Sequence, residues 1–449
     1  MKSEKDHLNI LQVSTSDIGG GAEKLAWKMF NAFKKYGHKP IMAVGNKRSK
    51  EENVIAVWQA FEKYIGEFLP DRRIREKIKL WLHKIRYPIQ LYDWYYGKED
   101  YNYPESRETI EQLLLGIDLV QCHNLHGGYF DLRMLPWLCR EVPVILLMQD
   151  AWLLSGHCAH SFECERWRES CGQCPHLNIY PALRRDSTSN NLRRKAEIFA
   201  QCQLYVSAPC NWLMDKIKSS IIAPAIIESR IIPNGVDLTI FRPTNKSAAR
   251  ARLGIPEKAK VLLFVAAGIK NNVWKDYVTM RAAVDQVAAC FPTEDVLFIA
   301  RGENARSEKI GRTEIRFVPY SSTDVLEANI AQYYQAADLY LHAAKADTFP
   351  NTVLESLACG TPVVATAVGG ITEQIADGRS GYLTPRGDAH AMVSSIEELL
   401  LNDGKRRMMG DNAVKIARER FDLDIQVNSY LSWYEEILEN RKKHEQNIR

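Results

Sequence analysis

Two acids stand eight positions apart, Asp347 and Glu355, in the run His342-Ala-Ala-Lys-Ala-Asp-Thr-Phe-Pro-Asn-Thr-Val-Leu-Glu-Ser-Leu-Ala-Cys-Gly-Thr-Pro-Val-Val-Ala-Thr366. A carboxylate just ahead of a helix can accept hydrogen bonds from hexose hydroxyls, and one a turn inside can take both hydroxyls of a ribose. The first amides of such a helix, on Asn351, Thr352 and Val353, are donors without intrahelical partners and suit an anion. Hydroxyl acceptors beside anion donors fit a nucleotide sugar. The plainer alternative makes Asp347 a helix-capping acid and Glu355 a solvated surface residue.

The elements that must position these groups are legible around them. Asp338 to Ala344 is a short, mostly apolar strand, and Pro350 supplies the fixed φ of a first helical turn. Val353, Leu354, Leu357 and Ala358 recur at helical spacing, Gly360 and Pro362 end the helix, and Val363–Thr366 reads as a buried strand. A strand-helix-strand unit of this kind belongs to an open α/β sheet, where ligands bind beyond the carboxyl ends of the strands.

With these residues the chain resembles the retaining glycosyltransferases of family 4, whose signature is Glu-x7-Glu. The likeness extends to Asn234-Gly-Val-Asp237 followed by Phe241-x-Pro243, to Gly360-Thr-Pro-Val-Val364, to Gly369-Gly370 before Glu373, and to Gly381-Tyr-Leu-Thr-Pro385. One departure is that Asp347 stands where Glu is usual. The resemblance implies α/β GT-B architecture, two Rossmann-like domains with parallel sheets facing across a cleft. It implies transfer of a sugar from a nucleoside diphosphate to a hydroxyl with retained anomeric configuration and no metal in the chemistry.

Length supports two domains, since 449 residues exceed one ordinary core. The expected division is 1–237 for an acceptor-binding domain, 238–425 for a donor domain, and 426–449 for a helix that crosses back to the first. Leu8–Ser14 is the first strand, Gly19-Gly-Gly21 a tight loop, and Ala22–Lys35 a helix with Leu25, Ala26, Met29, Phe30 and Phe33 on one face. Further strands are expected at Pro40–Val44, Leu119–Cys122, Val142–Leu147, Leu204–Ser207, Arg230–Pro233, Lys260–Ala266, Val296–Ala300 and Ile315–Val318. No apolar run approaches the roughly 18 residues of a membrane span, and the charged start lacks a signal-peptide core, so a cytoplasmic protein is expected.

The family likeness assigns roles to further residues. Gly20 and Gly21 match the loop that approaches the donor phosphates, where a side chain would hold the backbone off. Lys270 and Lys275 occupy the region of the family's basic pair, usually Arg before Lys, and would neutralise the departing diphosphate. His123 matches a histidine that orients the attacking hydroxyl or senses the sugar, with His126 as the alternative; Gln149 replaces a histidine common in relatives and receives no role. Arg301 and Val318 match segments that line the nucleotide. The catalytic set is therefore His123, Asp347 and Lys275, and Lys270 has the alternative of a solvated loop lysine.

Two features lie outside that scheme. Cys158, Cys164, Cys171 and Cys174 are separated by five, six and two residues, a spacing that suits a structural zinc with His157, His160 or His176 as substitutes, or else four packed or redox-active thiols. Arg72–Arg86 carries seven Lys or Arg against one acid, a local +6 beside +4 for the whole chain, with Ile74, Ile78, Trp81, Leu82 and Ile85 on one helical face. Such a helix can lie on an anionic membrane or pack on its own domain. Tyr87, Tyr92, Trp94, Tyr95 and Tyr96 can line an acceptor groove. The expected partners are a nucleotide-sugar donor and a glycan or lipid-linked acceptor, with no nucleic acid. Competing readings are a nucleotide-sugar epimerase of similar fold and a catalytically idle GT-B subunit; an NAD oxidoreductase is disfavoured because no Gly-x-Gly-x-x-Gly follows the first strand.

Overall fold

A continuous apolar run such as Val261-Leu-Leu-Phe-Val265 cannot turn one face to water, so it enters a sheet covered on both sides. In a computed structural model of the chain, which describes residues 7–57, 88–320 and 327–448, such runs form two seven-stranded sheets. The basic stretch Arg72–Arg86 and Tyr87 lie outside the described residues.

The first sheet contains β1 (Asn9–Ser16), β2 (Lys39–Asn46), β3 (Val54–Ala56), β4 (Leu119–Cys122), β5 (Val144–Leu147), β6 (Leu204–Ala208) and β7 (Ile226–Ile231). Their order is β3-β2-β1-β4-β5-β6-β7, and every pair is parallel. The second contains β8 (Lys260–Val265), β9 (Val296–Arg301), β10 (Glu308–Ile310), β11 (Thr313–Val318), β12 (Leu339–His342), β13 (Val363–Thr366) and β14 (Gly381–Thr384) in the order β10-β11-β9-β8-β12-β13-β14. It departs from the all-parallel expectation at one edge, where β10 runs antiparallel to β11. The reason is local: only Gly311 and Arg312 separate the two strands, a hairpin connection, and Glu308 and Lys309 give the edge the charges that discourage further pairing.

In both sheets the order reverses beside the first strand, between β1 and β4 and between β8 and β12. These topological switch points open crevices beyond the strand carboxyl ends, where ligands of open α/β sheets bind.

The chain divides into one unit of Met1–Pro209, Leu213–Ile232 and Ser429–Arg449 and another of Cys210–Trp212 and Pro233–Asn428. The changeovers thus fall at 232/233 and 428/429, where the sequence suggested 237/238 and 425/426. The last helix, Leu423–Ile448, begins three residues before the expected start at 426. In the first unit its buried Tyr430 hydroxyl meets Ser207 Oγ at 2.8 Å, and Trp433 Nε1 donates to Glu228 Oε1 at 2.9 Å. The core of the second unit packs Met280, Val284 and Val287 of the helix Tyr277–Cys290 and Met392, Ile396 and Leu399 of the helix Ala389–Leu401 against β8, β9 and β12.

Asp338, one residue before β12, anchors this unit electrostatically. Its carboxylate accepts from Lys246 Nζ at 2.9 Å, from the buried Arg250 Nη2 at 2.9 Å and from the Val261 amide at 2.8 Å. Burial works to raise its pKa, yet Lys246, Arg250 and the amide hold it below the ordinary carboxylate value of 3.8. Asp338→Asn leaves Arg250 buried without its counter-charge and is expected to cost about 3 kcal/mol of unfolding free energy near neutral pH. Because the folded-state pKa is depressed, that contribution is complete above the unfolded pKa and fades as pH falls through the folded one. Chemical denaturation of parent and variant should therefore converge below about pH 4; an equal difference at pH 3 and pH 7 contradicts the assignment.

Candidate functional site

At the switch point of the second unit, the loop after β8 is stitched to the end of β12. Asp276 N–H donates to Ala343 O at 3.1 Å, Lys345 N–H donates to Trp274 O at 2.9 Å, and Lys275 and Ala344 form an antiparallel bridge. Asp276 then caps the helix Tyr277–Cys290 by accepting from the Thr279 amide at 3.2 Å. Backbone on both sides of Lys275 is thereby fixed.

Its ammonium meets Asp347 Oδ2 at 2.5 Å and lies 3.3 Å from His342 Nε2, which is itself 3.2 Å from Asp347 Oδ2. Lys275 and Asp347 side chains retain 13% and 19% exposure, enough for a ligand to reach them, whereas His342 retains none. Burial works to raise the Asp347 carboxyl, but Lys275 and His342 hold it far below its ordinary value, so it is ionised at all physiological pH. The His342 imidazole is pushed down to about 4, by burial first and the Lys275 charge second, so the ring is neutral and bridges Asp347 to the Tyr340 hydroxyl, 3.0 Å from Nδ1.

Backbone packing holds Asp347 in place. A Cβ on Gly369, whose φ is +54°, would stand 1.9 Å from the Asp347 carbonyl oxygen, and Gly370 donates its N–H to Thr348 O at 2.9 Å. The Gly-Gly pair is thus a seat for the Asp347–Thr348 backbone.

The helix that follows spans Asn351–Ala358 and buries every residue from Val353 to Ala358. Pro350 is its N-cap, with ψ of 123°, one position earlier than the first-turn place expected from sequence. Val353 N–H donates to Pro350 O at 3.2 Å, within the first turn. Asp347 pairs with Lys275 and does not cap the helix. Glu355 is only 8% exposed and accepts from the Tyr334 hydroxyl at 2.9 Å, which excludes the solvated alternative.

Other sequence candidates are engaged elsewhere. Lys270 Nζ pairs with Glu308 Oε1 at 3.1 Å and sits 4.3 Å from the Phe317 ring centroid; the residue is exposed, and its ammonium joins Glu308, whereas that of Lys275 joins Asp347. Arg301 is 3% exposed, donates from Nη1 to Val318 O at 3.2 Å and to Pro319 O, and lies against the rings of Tyr320 and Tyr333. Val318 O also accepts from Gly302 N–H at 2.7 Å, so its two lone-pair directions are taken. Arg301 and the Val318 carbonyl thus brace the turn after β9.

In the first unit, Gly20 is the N-cap of the helix Gly21–Lys35, with φ of −73°. No left-handed backbone demands glycine there, and a Cβ on Gly20 would approach only Glu23 Oε2, at 3.1 Å. His123 follows β4 at the switch point and is 3% exposed; Nε2 lies 3.3 Å from Gln12 Nε2, and Gln12 in turn donates to Gln121 Oε1 at 3.1 Å. Burial pushes its pKa down to about 3, and its Nδ1 has no partner among the described residues. A buried nitrogen left without a partner costs about 1–3 kcal/mol.

Three features escaped the sequence reading. His342 was absorbed into an apolar strand, although a lone imidazole at a strand end beside a switch point was a usable signal. Tyr334 gave no local signal. His126 was only an alternative, but its Nε2 meets Asp150 Oδ2 at 2.8 Å in a cleft of the first unit. The expected zinc set is not assembled: Cys174 Sγ lies 3.3 Å from His157 Nε2, burial pushes the Cys158 and Cys171 thiols up to about 11, and among the described residues no three His, Cys, Asp or Glu side chains gather to hold a metal. Among those residues no helix is long and apolar enough to cross a membrane.

The family described as "Glycosyl transferases group 1" matches residues 245–416. A D-inositol 3-phosphate glycosyltransferase 2 of Catenulispora acidiphila is 34% identical over 197 residues, 41% of this chain and 45% of its own length. A D-inositol 3-phosphate glycosyltransferase of Thermobispora bispora is 32% identical over 219 residues, 46% and 50% of the two chains. The chain thus spans about half the length of these curated relatives. Among solved structures, sucrose-phosphate synthase from Thermosynechococcus elongatus superposes with a TM-score of 0.62 at 16% identity, covering 97% of this chain and 100% of that one. Anabaena HepE in complex with UDP-glucose gives 0.59 at 17% identity, covering 95% and 100%. These likenesses show the fold, the pair of Rossmann-like units of GT-B architecture.

Removing the Lys275 charge stabilises the protonated imidazole nearby, so Lys275→Met should raise the His342 pKa by more than about one unit, read by NMR titration of labelled histidines. An unmoved resonance dissolves the cluster. Gly369→Ala must push the Asp347 backbone aside and should cost more than about 2 kcal/mol, against roughly 1 for Gly378→Ala, which is left-handed too but meets open space. Equal losses on chemical denaturation remove the seat assigned to Gly369.

Proposed function

We propose that this chain, a member of the glycosyl transferases group 1 family through residues 245–416, moves a sugar from a nucleoside-diphosphate donor to a hydroxyl of a glycan or lipid-linked acceptor, with retention at the anomeric carbon. The carrying observation is the cluster of Lys275, His342 and Asp347 ahead of the helix Asn351–Ala358, beyond the ends of β8 and β12. Breaking the glycosyl-phosphate bond leaves positive charge on the ring and negative charge on the diphosphate, so stabilising the leaving group is the main demand. Lys275 and the helix N-terminus meet that demand together.

The remaining residues divide the donor between them. Asp347, ionised and partly exposed, accepts hydroxyl hydrogen bonds from the transferred sugar while His342 holds its orientation. Its exchange of Lys275 for sugar hydroxyls turns the ammonium toward phosphate. Glu355, already held by Tyr334, accepts the ribose hydroxyls. His123 contributes a neutral ring whose Nδ1 suits a hydroxyl, not proton transfer at physiological pH. That HepE, a structural neighbour, binds UDP-glucose supports the donor class. Peripheral contact with an anionic membrane through Arg72–Arg86 belongs to the same proposal and rests on the sequence alone.

A thermal-shift panel of nucleotide sugars tests the reading. The matching donor at about 100 times its dissociation constant adds roughly 2.7 kcal/mol of stability. Glu355→Gln and Lys275→Ala should each weaken donor binding by about 1.5–3 kcal/mol, the worth of a hydrogen bond to a charged group. Full response in both variants would mean that the donor binds elsewhere, and selective binding without turnover on any acceptor would mean an idle subunit.

A further inference from the structure

The first unit contains a cleft of about 190 Å³ whose rim and floor include Trp94, Lys98, His126, Trp152 and Arg184. Its acids are already committed inside the protein. Glu99 pairs with the fully buried Lys195 at 2.8 Å and accepts from Trp152 Nε1 at 2.5 Å and from the Tyr101 hydroxyl at 2.8 Å. Asp100 accepts from the Asn102 amide at 2.8 Å, and Asp150, behind the wall, is held by His126 at 2.8 Å.

Its cations are not committed in the same way. Arg184 lies 4.9 Å from the Trp94 ring centroid and 5.0 Å from that of Tyr95, and Lys98 Nζ is 5.3 Å from the Tyr92 centroid. Among the described residues neither has a carboxylate within ion-pairing distance; Asp93 acts on Lys98 only at longer range. Trp94 is 58% exposed and Tyr92 54%, so part of each ring remains accessible to solvent beside these two positive charges. His126, between Asp150 and the Tyr180 hydroxyl at 3.3 Å, adds a polarised imidazole, its pKa lowered by burial but raised on balance by Asp150.

An indole face takes the apolar C–H face of a sugar ring, and a guanidinium beside it takes a planar anion in bidentate fashion. We propose that this cleft binds the acceptor, and that the acceptor is a sugar bearing an anionic group, phosphate or carboxylate, held by Arg184 and Lys98 with its ring on Trp94. The word acceptor rests on the function proposed above, whereas anionic-sugar binding stands independently of it.

Binding of glucose, glucose 6-phosphate and glucuronate to the full chain, followed by ligand-observed NMR, tests this. At least one of the two anionic sugars should bind about tenfold tighter than glucose, as expected for a charge-assisted contact. Preference for glucose 6-phosphate alone identifies a phosphorylated acceptor; equal preference for both anions makes charge sufficient. Arg184→Gln and Lys98→Gln should each remove most of the preference and leave the nucleotide-sugar thermal shift of the parent intact, which also reports that the variants fold. Trp94→Ala should weaken the anionic sugars without restoring parity with glucose. The proposal is overturned if glucose binds as well as the anions, if inorganic phosphate competes as well as glucose 6-phosphate, or if none of the three sugars binds while nucleotide sugars still stabilise the chain. Arg184-dependent binding of an anionic sugar in a protein that no nucleotide sugar stabilises supports the cleft and removes the donor reading instead.

Discussion

Lys275 and Asp347 are 72 residues apart in the chain and 2.5 Å apart at their charged atoms, and the electrostatics at the switch point of the second unit depend on that contact. Burial alone would drive the Asp347 carboxyl toward its neutral form; the ammonium reverses the balance and keeps an anion available. The contact is possible because the backbone before the helix Tyr277–Cys290 is bridged to the end of β12, and because Gly369 and Gly370 let the Asp347–Thr348 backbone settle. The ion pair also keeps both side chains oriented.

The two units use one topology for different purposes. Both reverse strand order beside their first strand, yet the first unit places amides and an imidazole there, Gln12, Gln121 and His123, while the second places ionised groups. A buried neutral ring suits recognition by hydrogen bonding, and an ammonium beside a helix N-terminus suits an accumulating negative charge. The fold supplies the location and the side chains supply the chemistry. The cleft of Trp94 and Arg184 carries the same lesson, since Glu99 on its wall is paired from within by Lys195.

Legibility from sequence followed the range of the forces involved. Apolar periodicity located β8, β12, β13 and the helix after Pro350 to within a few residues, because each depends on contacts near in the chain. It shifted the start of β7 by four residues and overlooked β3, β10 and β14, edge strands too short or too charged to carry an apolar signal. Arg301 shows the limit for single residues: nothing in an arginine after a strand announces that its guanidinium will reach the carbonyls of Val318 and Pro319.

What the sequence by itself determined is the set of local elements, the family likeness, and the candidacy of Asp347, Glu355, Lys275 and His123, since motif spacing and apolar runs are properties of neighbouring positions. Only the tertiary structure decided that Lys275 faces Asp347 and His342 while Lys270 turns to Glu308, that Glu355 is buried on Tyr334, and that the four cysteines do not form a metal cage. Those outcomes depend on which strands become neighbours and how loops lie across their ends. Strand order is set by the packing of the whole unit, and no periodicity along the chain encodes it.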